Sequence, residues 1–324
     1  MARLIRLALA VIAGFASLAG AGGAEPYPVR PIRIVVTFPP GGQTDAVARI
    51  MQPHLETTLG QPIVIDNRPG AGGTIGIDAV VKSPPDGYVL GVGPMGALTV
   101  NMNLQEKVPY DTLKDLEPVS LLTMTPFVMA ARLAFAANDV AEVIALAKSK
   151  PEELSLGHGG NGSAMHLTAL LFNHMAGVDI ALVPYRGSGA VFSDLIAGHI
   201  PLGVGDTTSA LGAVQAGQVK ALAVSSRKRT PLLPDIPTFS ESGLPGFESM
   251  GWFGIVAPAG TPRDIIAKLN EAMVSALNDP VLLERLRAIG AEPVSSTPEE
   301  FGQLIRSETI KWARVVAQSG LKPD

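Results

Sequence analysis

The sequence predicts an α/β protein folded as a two-lobed clamshell, and three observations carry that expectation. Short apolar strands alternate with segments of helical period, the signature of a largely parallel sheet. Glycine-containing turns stand between several of those strands and the helices that follow. Two stretches, residues 118–128 and 249–257, let the chain leave a first lobe, build a second and come back on two hinge strands. One continuous large sheet is the alternative that periodicity leaves open.

The elements follow in order. Residues 32–38 (IRIVVTF) form the first buried strand, a turn at 39–42 leads into a helix over about 44–59, and 62–66 (PIVID) returns as a second strand. The unit repeats with helix 74–82, the turn PPDG and strand 88–92. Later units are helix 139–148, strand 154–157, helix 163–175, strand 180–183 and helix 188–197, then strands 200–204 and 219–225. Residues 225–251 carry four prolines and read as loop. Strand 252–257 precedes three helical patterns that begin after Pro262, Pro280 and Pro298, where proline sits at a first helical position behind a polar cap. The expected division is a first lobe of residues 25–124 and 237–324 and a second of 125–236.

Composition narrows the function. The 324 residues suffice for two domains with their own cores, and only 17% are charged, which together with 35 Gly and 27 Pro argues against disorder and coiled coil. A formal charge of -4, with no basic block longer than Arg227-Lys228-Arg229, leaves no electrostatic footprint for nucleic acid. The chain has no cysteine, so thiol nucleophiles, cysteine zinc sites and disulfides drop out together. At the N-terminus, Arg3 and Arg6 precede an apolar run over 7–18 and then small residues, the three-part pattern of a secretory signal peptide. Cleavage is expected after Ala24, with Ala21 as the second choice, leaving an exported, acidic and soluble mature protein.

Three glycine loops are candidate sites. In FPPGGQTDAVAR, residues 38–49, Gly41 and Gly42 allow close approach of a ligand, and the helix start behind them offers unpaired N–H groups suited to a carboxylate or phosphate. Asp45 is read first as a structural helix-end residue and second as a ligand contact. GHGGNGSAMHLTALLF, residues 157–172, repeats the arrangement; His166 is read first as a loop brace. Both this loop and the stretch at Gly91, Gly93 and Gly96 fit GxGxxG, but no acidic residue ends the following strand after the former, so a dinucleotide is not expected. The third, residues 67–76, is read as packing in its own lobe. VPYRGSG, 183–189, sets Tyr185 and Arg186 at the same cleft edge, either as ligand contacts or, for Arg186, as a surface charge. No GxSxG elbow and no HExxH spacing occur, so no catalytic residue, metal or cofactor is expected.

Eight segments then line up in series: YPVRPIRIVVTFPPGGQTDAVAR, NRPGAGGTIG, PDGY, PYD, GNGSAMHL, VPYRG, LPDIPTFSESGLPGFES and WxGxxAPAGTP. Together they resemble the Bug/TctC family of periplasmic solute receptors of tripartite tricarboxylate transporters across essentially the whole mature chain. The resemblance implies a type II periplasmic binding protein fold, a Venus flytrap that closes on a small carboxylate. It implies ligand contacts at Phe38, Pro40, Gly41, Gly42, Thr44 and Asp45, at Gly93 and Met95, at Gly159, Gly160, Asn161, Gly162, Ser163 and His166, and at Tyr185, Asp206 and Thr207. Partners implied are the organic acid and the membrane permease subunits, with a monomeric receptor. The sequence departs from the family where His158 stands in place of a common Ser and Arg186 in place of a more frequent Lys. Two other readings stand beside the receptor: a periplasmic sensor feeding a membrane kinase, and an exported hydrolase using the His158 loop.

Overall fold

In the computed structural model of the chain, residues 27–104 and 107–319 are described; the expected signal peptide, 1–24, lies outside them. β1 (Ile32–Val36) leads to α1 (Gln43–Leu59), β2 (Ile63–Asn67), α2 (Thr74–Val81) and β3 (Val89–Pro94). After short helical turns comes the long β4 (Leu116–Arg132), then α3 (Val140–Ser149), β5 (Ser155–His158), α4 (Ala164–Ala176), β6 (Ala181–Pro184) and α5 (Ser188–Ala197). β7 (Leu202–Asp206), α6 (Thr207–Gln215) and β8 (Val219–Val224) complete that half. The chain returns through β9 (Met250–Pro258), α7 (Arg263–Ala276), α8 (Pro280–Ala288), the short β10 (Glu292–Pro293) and α9 (Pro298–Ser319). The predicted units are present with ends moved by one or two residues.

The strand order β2-β1-β3-β9-β4-β7-β5-β6 runs unbroken because β4 belongs to both halves. From Leu116 to Pro126 it pairs antiparallel with β9, and from Phe127 to Arg132 it pairs with β7 and β8. The two-lobed flytrap fold with two crossing strands thus has its changeover at Pro126–Phe127. Hydrogen bonds stitch that point: the Phe127 N–H donates to Ser225 Oγ at 2.8 Å, and the Ser225 hydroxyl donates to the Ser249 carbonyl.

Alternation along the strands explains the layers. On β1, Ile32, Ile34 and Val36 join α1, α7 and α8 in one core, while Val35 faces the other way toward Ile77 and Val80 of α2. On the far part of β4, Val128 and Ala130 pack with Val191, Phe192 and Leu195 of α5, and Met129 and Ala131 face the α3 and α4 side. The proline-rich stretch after β8 is anchored rather than loose: Phe239 lies 5.7 Å from Phe172 of α4 and 4.3 Å from Phe247, ring centre to centre. α9 reaches across from the first half to pack on α4. Among the described residues no helix is long and apolar enough to cross a membrane.

Candidate functional site

Within each half the paired central strands β1 and β3, and β5, β6 and β7, run parallel, so their carboxyl ends and the helix starts behind them gather along one edge. There, between the halves, lies a cavity of about 880 Å³. Its wall takes Phe38, Pro40, Gly42 and Thr44 from the β1–α1 loop and Met95 from beyond β3. From the second half come Gly159, Asn161, Gly162, Ser163 and His166, and Asp206 at the end of β7. All of these are positions singled out in the sequence.

Gly41, Asp45, Gly93, Gly160, Tyr185 and Thr207 do not line the cavity, and each has a physical reason. Gly41, at φ 85°, gives its N–H to Asp45 Oδ2 at 3.0 Å. Asp45 is buried, accepts from Arg49 Nε at 2.9 Å and from Asn67 Nδ2 at 2.9 Å, and so braces the loop from behind. Burial alone would raise its carboxyl, but the hydrogen bonds from Arg49, Gly41 and Asn67 outweigh burial and hold the pKa below the usual carboxylate value. Gly93 is covered by Leu98. Gly160 turns at φ 112° and donates its N–H to the His158 carbonyl at 2.9 Å. The Tyr185 hydroxyl donates to Asp194 Oδ2 at 2.8 Å, and the Thr207 hydroxyl to the Pro126 carbonyl at 2.6 Å.

The floor of the cavity was not singled out in the sequence. Thr125 and Phe127 of β4 and Gly251, Trp252 and Phe253 of β9 form the cavity floor, and Ala71 and Gly72 bring the third glycine loop to its edge. That loop is also tied to its own lobe, as expected, by Asn101 Nδ2 donating to Thr74 Oγ1 at 3.0 Å. Arg186, Gly187 and Ser188 line the opposite wall.

Four long helices start at this cavity, and they differ at their first residue. α4 is capped by Ser163 Oγ, which accepts the His166 N–H at 3.2 Å, and α6 by Asp206, whose Oδ1 accepts the Ser209 N–H at 2.8 Å. α1 and α5 begin at Gly42 and Gly187 with no side-chain cap. In α1 the first helical bond runs from Ala46 to Gly42, so the N–H groups of Gln43, Thr44 and Asp45 find no acceptor within the helix. Unpaired N–H groups and the helix dipole make both ends suited to anions.

Behind the second-half loop two imidazoles stack, His158 and His166, 4.4 Å between centres and 19° apart in plane. The Gly162 N–H donates to His166 Nδ1 at 3.2 Å, and His158 Nδ1 faces the Gly160 carbonyl at 3.2 Å. These partners put the proton on Nε2 of His166 and on Nδ1 of His158. Burial pushes both pKa values down to about 4, helped at His166 by repulsion from His158, so the pair is neutral at pH 7. Among the described residues no group of three or more His, Cys, Asp or Glu is placed to hold a metal ion.

Comparison with known proteins agrees in both sequence and fold. The family described as tripartite tricarboxylate transporter family receptor matches residues 47–321. Protein BugT of Bordetella pertussis is 38% identical over 97% of this chain and 98% of its own. The solved structure described as R. palustris Rpa4515 with adipate is 35% identical with a TM-score of 0.80, covering 92% of this chain and 100% of that one. MatC (Rpa3494) from Rhodopseudomonas palustris, with bound malate, is 38% identical with a TM-score of 0.77, covering 90% and 100%.

Proposed function

Because the chain belongs to the tripartite tricarboxylate transporter family of receptors, periplasmic solute-binding proteins rather than enzymes, we propose that it captures a small organic acid anion between its lobes and hands it to a membrane permease. The observation that carries the reading is the pair of uncapped helix starts, α1 and α5, one in each half and both opening on the same cavity. A carboxylate there accepts hydrogen bonds from N–H groups that the fold leaves unpaired. Relatives described with adipate and with malate support a carboxylate as the ligand class.

The proposed contacts are the lining residues of the two loops, Phe38, Pro40, Gly42 and Thr44 facing Gly159, Asn161, Gly162, Ser163 and His166, with Met95 and Asp206 at the sides. Gly41 and Asp45 hold the first loop in shape, and Gly160 and Tyr185 the second. The proposed lobes are residues 25–124 with 237–324, and 125–236, with the segment from Phe239 to Phe247 lying against α4 at the junction. Closure is a hinge motion about β4 and β9. Export follows from the signal peptide, cleaved after Ala24, and the receptor works as a monomer.

A thermal-shift screen of residues 25–324 against mono-, di- and tricarboxylates, acidic amino acids and aromatic acids, each beside its amide, tests this. An acid at about 100 times its Kd adds roughly 2.7 kcal/mol of stability and raises the melting temperature, while its amide does not. A response to neutral compounds alone overturns the anion site.

A further inference from the structure

Arg186 is the charge at the cavity that the bracing of the loops leaves over. Asp206 commits its carboxylate to α6, with Oδ1 accepting the Ser209 N–H at 2.8 Å and Oδ2 the Ser209 hydroxyl at 3.2 Å. His166 is neutral and holds the Gly162 N–H. Arg186 lines the same wall with its side chain exposed and makes no hydrogen bond or ion pair among the described residues. Its backbone is nevertheless fixed on both sides. The Tyr185 N–H donates to the His158 carbonyl at 2.8 Å, and Gly187 turns at φ 96° into the uncapped start of α5.

We propose that Arg186 is a specificity-determining residue that reads a second anionic group, so that this receptor selects acids with two negative ends over matched acids with one. The inference rests on the carboxylate-receptor reading above. One end is taken at the start of α1 in the first half, and the other by the guanidinium beside the start of α5 in the second. A guanidinium suits that place because its planar fork gives two parallel hydrogen bonds to one carboxylate, where a lysine offers a point charge. The cavity lining also offers apolar surface from Phe38, Met95, Phe127 and Trp252, against which a hydrocarbon spacer can pack.

The test is titration calorimetry of the mature chain with the straight-chain diacids from succinate to suberate, each beside its monoamide, which keeps the shape and removes one charge. The wild-type chain is expected to bind its preferred diacid at least about tenfold tighter than the monoamide, the size of one charge-assisted contact. Arg186→Gln should bring the two within about twofold by weakening the diacid alone, and Arg186→Lys should fall between. Equal affinity of diacid and monoamide for the wild type overturns the inference, as does an unchanged ratio in Arg186→Gln or a lysine variant indistinguishable from wild type. So does binding of other acids with no diacid among them. Failure of every carboxylate to bind sinks the receptor reading instead, which keeps the two failures apart.

Discussion

The loop after β1 is held by charge, and the loop after β5, across the cavity from it, is held by two neutral rings. In the first, the buried Asp45 carboxylate gathers the Gly41 N–H, the Arg49 guanidinium and the Asn67 amide. In the second, His158 and His166 stack and fasten the Gly160 carbonyl and the Gly162 N–H. Both loops join a strand to a helix through glycines, yet the first leaves its helix start bare and the second caps it with Ser163. The contrast teaches that the backbone sets the geometry of the proposed anion site, while the brace behind it is free to differ in chemistry and so in its response to pH.

The largest expected effect is on the ring pair. Its folded pKa values near 4 lie below the ordinary value of about 6.5, so the unfolded chain binds more protons between those limits. The contribution of the neutral pair is therefore full above about pH 7, declines as the pH falls from about 6.5 to about 4, and amounts to on the order of 3 kcal/mol or more. Urea unfolding across pH 4 to 8 should show this slope, and His158→Gln should flatten it. Equal slopes in both proteins would mean that the rings do not titrate as a buried pair. The Asp45 brace acts in a different window: its depressed pKa means that its stabilisation is present above about pH 4 and lost as the pH falls further through the folded pKa.

Second in size is the loss of that brace. Asp45→Ala strands an N–H, an amide and a half-exposed guanidinium behind the first loop and should cost about 2–4 kcal/mol in denaturant unfolding. A cost under about 1 kcal/mol would show that the glycine turn holds its own shape.

How far this contrast was legible in the sequence depends on distance along the chain. The strand–loop–helix units were legible because apolar runs, glycine turns and prolines at helix starts are local signals. The cavity floor was not: Thr125 and Phe127 meet Trp252 and Phe253 only because β4 and β9 pair, and in the sequence both stretches read as apolar crossing strands. Asp45 and Tyr185 carry chemistry that suits a ligand, but the fold gives them protein partners, Arg49 one turn on and Asp194 nine residues on. The Arg49 spacing is visible in the sequence and favours the bracing role, whereas the Thr207 hydroxyl finds the Pro126 carbonyl only through the β4–β7 pairing. Two histidines eight residues apart give no sign of stacking until the loop between them folds back.

A smaller effect tests the capped helix directly. Ser163→Ala removes the acceptor for the His166 N–H and one proposed ligand contact; it should cost about 1 kcal/mol of stability and weaken the carboxylate about threefold at most, if the bare ends of α1 and α5 carry the binding. Calorimetry beside unfolding measures both quantities, and a tenfold loss of affinity at unchanged fold would move the anion to α4.

The smallest effect on stability is the most informative about function. Gly42 precedes α1 in the extended conformation, at φ -76° and ψ 166°, which a serine adopts without strain, and a Cβ there would sit at an ordinary 3.5 Å from the Pro39 carbonyl. Gly42→Ser should therefore stabilise the protein by only a few tenths of a kcal/mol, as its hydroxyl accepts one of the unpaired N–H groups of α1. That N–H is one the carboxylate is proposed to use, so the same substitution should weaken the acid severalfold while leaving any neutral analogue alone. Stability and affinity moving in opposite directions would identify the missing cap as the binding site itself, a local stability forgone so that the ligand completes the helix. If both improve together, or affinity does not change, the first-half helix end is not where the anion rests.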